Sequence, residues 1–177
     1  DCRRVEISGL YGLDGSIGND DKEFSFYLPE RVKAGILWSS SGFVEYKFAN
    51  GIPSGCEVDR LSLSMEICSE APGFREDWKS DITVWINEID CGTWTSLGDF
   101  GATQYGLLKT WEIRKDGCYI NGEKVSDVTI DMLKVMEKPY VKVRIGNKPD
   151  AKYVGGFNIF GKHFGDYDQD IILAMEY

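Results

Sequence analysis

At 177 residues, with 42% hydrophobic and 13% aromatic side chains, the chain is long enough to bury a core as one domain and too apolar for a disordered tail. Its formal net charge is -9, from 29 acidic against 20 basic residues, which argues against direct DNA or RNA binding because such a surface repels a phosphate backbone. No apolar stretch approaches membrane-spanning length, no low-complexity run occurs, and the start Asp1-Cys2-Arg3-Arg4 does not read as a signal peptide.

Taken in chain order, Gly9 to Gly18 holds four glycines at irregular spacing without a P-loop lysine, so a phosphate cradle is not supported. Glu23–Leu28 alternates weakly before Pro29 and reads as a strand. Segments 34–38 and 43–48 flank Ser39-Ser40-Ser41-Gly42 as a hairpin candidate, and Asn50–Gly55 is a loop. Leu61–Cys68 places an apolar residue at every second position, with Leu61, Leu63, Met65 and Ile67 on one face and Ser62, Ser64, Glu66 and Cys68 on the other. Asp81–Asn87 repeats that period, and Gly92-Thr93-Trp94-Thr95 follows as a polar and aromatic run. Segments 107–114 and 117–120 are joined by Lys115-Asp116-Gly117 as a hairpin, and Asn121-Gly122 opens another tight turn. Only Ile130–Glu137 has helical character, with Asp127 or Thr129 as its cap. Tyr140–Gly146 alternates with cations outward, and Asp170–Tyr177 reads as a central strand, apolar on both sides.

Many short strands with regular turns and almost no helix predict an all-β single domain over 1–177. The expected architecture is an antiparallel β-sandwich of jelly-roll type with at most one short helix, and a closed barrel is the alternative. The five cysteines, at 2, 56, 68, 91 and 118, form no C-x-x-C pair. They are expected as reduced packing thiols, one disulfide being the alternative, with the cytoplasm as the compartment.

The chemistry-bearing residues argue against an enzyme. His163 is the single histidine, no Gly-x-Ser-x-Gly elbow exists, and cupin-type metal binding needs several histidines. A glycosidase needs two carboxylates, but abundance of acids names no pair. Asp166, Asp168 and Asp170 could offer oxygen ligands to Ca²⁺, although they lack the EF-hand glycine and distal glutamate and read equally as a solvated turn. No cofactor is implied. Glu66, Glu70, Asp77, Trp78, Trp85, Trp94 and Asp99 lie within or near one sheet region. Rings beside carboxylates suit a sugar or another flat polar ligand, with the indole stacked on it and the carboxylates accepting its hydroxyls. Against this, Trp85 reads more readily as core, while Trp78 and Trp94 have polar, loop-like neighbours.

The runs Leu63–Gly73, Asp77–Asn87, Gly92–Ser96, Gly98-Asp99-Phe100-Gly101, Gln104–Trp111 and Gly161–Tyr177 resemble the C-terminal domains of bacterial ArsR-like winged helix-turn-helix transcriptional regulators, from about Asp20 to the end. The resemblance implies an effector-binding or oligomerisation domain. A small-molecule ligand over the Glu66/Trp85/Trp94 face would bias a homodimer whose DNA contacts lie in an N-terminal domain absent from this chain. That group carries a longer Trp-bearing insert at the Gly101–Ala102 junction, which marks either a shortened loop here or lost residues. The alternatives are a lectin-like carbohydrate-binding β-sandwich module and a purely structural dimer module.

Overall fold

The computed structural model describes residues 8–101 and 104–177; Cys2 and the junction after Gly101 lie outside the described residues. The strands are β1 (Ser8–Gly12), β2 (Gly15–Ser16), β3 (Ala34–Ser39), β4 (Phe43–Ala49), β5 (Arg60–Cys68), β6 (Ser80–Ile86), β7 (Ile89–Ser96), β8 (Leu107–Arg114), β9 (Gly117–Ile120), β10 (Glu123–Ser126), β11 (Tyr140–Gly146), β12 (Phe157–Phe160) and β13 (Ile172–Glu176). They form two antiparallel sheets packed as a β-sandwich. A nine-stranded sheet runs β10-β9-β8-β5-β12-β3-β1-β2 with β13 also on β5, and a four-stranded sheet runs β4-β11-β6-β7. The helical segments among the described residues are 3-10 turns.

The alternating run of β5 organises the core. Leu61, Leu63, Met65 and Ile67 are fully buried and face Ile82, Val84 and Ile86 of β6 and Val141, Val143 and Ile145 of β11 in one continuous cluster. Each such side chain taken from water contributes roughly 1.5–3 kcal/mol before entropy is subtracted. Trp111 of β8, also fully buried, donates its indole N–H to the Gly92 carbonyl of β7 at 3.2 Å and ties the two sheets at one long edge.

Three sequence expectations are corrected. Glu23–Leu28 is not a strand; Glu23–Tyr27 is a 3-10 turn, held by Ser25, whose hydroxyl accepts the Asn19 amide at 3.0 Å and donates to the Asn19 carbonyl at 2.8 Å. These local bonds outweigh a weak alternation. β3 and β4 are not a hairpin but lie in different sheets. The Ser39 hydroxyl donates to the Ser41 carbonyl at 2.5 Å and Gly42 adopts φ 75°, so the chain turns from one layer to the other. The terminal strand β13 is not central: it pairs with β5 alone, along Arg60–Ser64, while β12 takes the Glu66–Cys68 half of the same edge. Its exposure alternates accordingly along Ile172–Glu176.

Candidate functional site

Strand parity decides where each candidate side chain goes. Glu66 alternates with Met65 and Ile67 and so points out of the nine-stranded sheet, while Trp85 alternates with Val84 and Ile86 and points out of the four-stranded sheet. The two residues therefore lie on opposite outsides of the sandwich. The Glu66/Trp85/Trp94 face does not exist as one surface.

Glu66 is fully buried by loops laid over its sheet. Its carboxylate accepts the backbone amides of Gly106 and Asp166 at 2.9 Å each and of Tyr167 at 3.0 Å. A Cβ at Gly165 would collide with that carboxylate. Glu66 thus works as a clamp that fastens the 161–170 loop and the approach to β8.

Trp94, paired with the core residue Ile82, packs against the core at the β7 edge, with the Lys109 ammonium 4.8 Å from its ring centre. Trp78 and Asp77 sit in the loop before β6. There Arg75 lies over the Trp78 ring at 5.0 Å and pairs with Asp77 at 3.5 Å, while the Trp78 indole nitrogen is buried without a hydrogen-bond partner. Asp166 accepts the Tyr105 amide at 2.8 Å, Asp170 accepts the Lys162 amide at 2.9 Å, and Asp168 pairs with the Lys162 ammonium at 3.6 Å. Among the described residues no group of three or more His, Cys, Asp or Glu side chains is gathered to hold a metal.

Glu70 and Asp99 are the two candidates brought together, around Cys68 at the end of β5. Burial pushes the Glu70 carboxyl up to about 7, a hydrogen bond from Asn158 opposes the shift, and the nearby Asp99 charge adds to it. Asp99 is itself raised by burial, against the pull of the Ala71 amide, which donates to it at 3.1 Å. Burial foremost, with Asp99 next, drives the Cys68 thiol upward, which makes it a poor nucleophile. Neither Glu70 nor Asp99 has an ion-pair partner among the described residues.

Register then brings in two residues that the sequence reading missed. Cys68 is opposite Asn158, Asn158 is opposite Trp38, and Trp38 is opposite Gly9, so these four form one row across β5, β12, β3 and β1 on the outer face. The Trp38 benzene ring fills the place a Cβ would take at Gly9, so it lies across β1 and stays half-buried. Asn158, buried, donates to the Ser69 carbonyl at 2.9 Å and reaches Glu70. The result is an indole, an amide and a carboxyl side by side, one strand spacing (~4.8 Å) from Asn158 to Trp38. Trp38 was legible by parity, since it alternates with buried Leu37; Asn158 was not, because Phe157–Phe160 shows no period of its own.

No family model matches the sequence, and no curated protein matches it. Among solved structures, the chain matches "Carbohydrate-Binding Module CBM36 in complex with calcium and xylotriose", at 6% identity and a TM-score of 0.35, over 98% of this chain and 94% of that one. The expected assignment as the effector domain of an ArsR-like regulator is corrected here. The side chains assigned to the effector do not share one surface: they are divided between opposite faces, an edge and a loop.

Proposed function

We propose that this β-sandwich is a carbohydrate-binding module that takes a neutral sugar chain on the outer face of the nine-stranded sheet. The observation that carries the reading is the row at the end of β5: the half-buried Trp38 ring over Gly9, with buried Asn158 and the Glu70 carboxyl beside it. A sugar presents an apolar C–H face and a rim of hydroxyls. An indole fixed against a sheet covers the first, and an amide and a carboxyl serve the second. The net charge of -9 favours an uncharged glycan over an acidic one.

Titration calorimetry with a panel of neutral oligosaccharides, xylotriose among them, tests this. Trp38→Ala is expected to weaken binding at least about tenfold, whereas Trp85→Ala, on the opposite face, leaves it unchanged. Full retention of binding in Trp38→Ala, or no heat from any sugar at millimolar concentration, would remove the assignment.

A further inference from the structure

Cys91 of β7 and Cys118 of β9 stand in different sheets and are both fully buried in the core. Each thiol donates to a carbonyl of its own neighbourhood, Cys91 to Ile89 at 3.4 Å and Cys118 to Val128 at 3.3 Å. Cys118 is opposite Ser126 of β10, the residue after Val125, so the two cysteines stand on neighbouring strands of the two sheets. Around them the sheets approach closely: Val125 of β10 packs over Gly92, the residue after Cys91, and the Trp111 indole bonds the Gly92 carbonyl. Both cysteines are free.

We infer that Cys91 and Cys118 are a cross-linking pair, joined by a disulfide when the chain folds in an oxidising medium, which locks the β7 edge of one sheet to β9 of the other. Burial closes the native pair to reagents, so the exchange takes place on the unfolded or folding chain. One thiolate attacks a low-molecular-weight disulfide such as oxidised glutathione and expels one equivalent of its thiol. The second cysteine then attacks the mixed disulfide and expels the other. The pair loses two electrons and two protons, the protons ending on the two released thiols. The bond would close the loop between residues 91 and 118, restricting the unfolded chain without requiring new native contacts.

The test is to refold reduced protein in a glutathione redox buffer, digest it without reductant, and map the cross-linked peptides by mass spectrometry. The expected product is a single 91–118 link. By chain entropy the melting temperature should rise by on the order of 10 °C over the reduced form, and the rise should be lost on adding reductant. Cys56→Ser should keep the link and the shift, while Cys118→Ala should lose both. Alkylatable thiols at both positions after oxidative refolding would overturn the inference. So would a link through another cysteine, or a linked form that melts lower than the reduced one.

Discussion

On the four-stranded sheet the outward Glu45 lies between Arg144, at 3.0 Å, and Lys142, at 3.8 Å, with Glu88 and the ring of Phe43 joining the same network. On the nine-stranded sheet the outward Glu66 pairs with no cation among the described residues and is held instead by three backbone amides under a loop. Both glutamates arise from the same two-residue alternation. What separates them is the partner: the half-buried Glu45 balances its charge sideways against cations, while Glu66 is roofed by chain and satisfies its charge from above. A half-buried ion pair gains attraction but gives up part of its hydration to form, whereas a fully buried carboxylate deprived of its donors, or donors deprived of it, costs the full desolvation.

The largest expected effect that would break this contrast is in Glu66→Ala. It leaves the amides of Gly106, Asp166 and Tyr167 without their acceptor and should cost about 3–5 kcal/mol in urea unfolding. A loss below about 1 kcal/mol would mean that the clamp does not hold the loop.

Next comes the pH response of the roofed face. The folded pKa of Glu70, about 7, lies above its ordinary value, so the folded state binds the proton more tightly. The associated stability is complete below the ordinary carboxylate range, falls as pH rises from about 4.5 to about 7, and is gone above that. Asp99, raised by burial, acts in the same direction. Allowing for solvent screening, the Glu70 part is on the order of 1–2 kcal/mol. Thermal unfolding followed from pH 8 to pH 5 should show the midpoint climbing, and Glu70→Gln should flatten that climb. A midpoint that falls on acidification in the same window would reverse the sign assigned to this carboxyl.

The smallest effect belongs to the four-stranded sheet. Glu45→Gln keeps the side chain's size and polarity while removing its charge from the half-buried pairs with Arg144 and Lys142, and should cost about 1 kcal/mol. A cost exceeding that of Glu66→Ala would invert the comparison.

The residues that made the sandwich legible are those with an unbroken period. Leu61–Cys68 and Tyr140–Gly146 announce their buried faces, and Lys115-Asp116-Gly117 announces the β8–β9 hairpin. The segments that escaped are governed by distant partners. Phe157–Phe160 is buried at every position, so no alternation marks it, and β1 is short and interrupted by glycine. The site suffered in the same way. Proximity in sequence grouped Glu66 with Trp85, although parity alone sends them to opposite sides once the two strands belong to different sheets. The Trp38–Asn158 neighbourhood depends on cross-strand register, which the one-dimensional pattern does not encode.

The Glu66 clamp also sets what the 161–170 segment is free to become. Its anchor grips main-chain N–H groups rather than particular side chains, so the roof can change its outward lettering without losing its fastening. In a library randomised over 164–168 and selected for folding, glycine should persist at 165, where no Cβ fits, while Tyr167 and Asp168 drift widely. Variability there would then record tolerance in the roof while its attachment stayed the same.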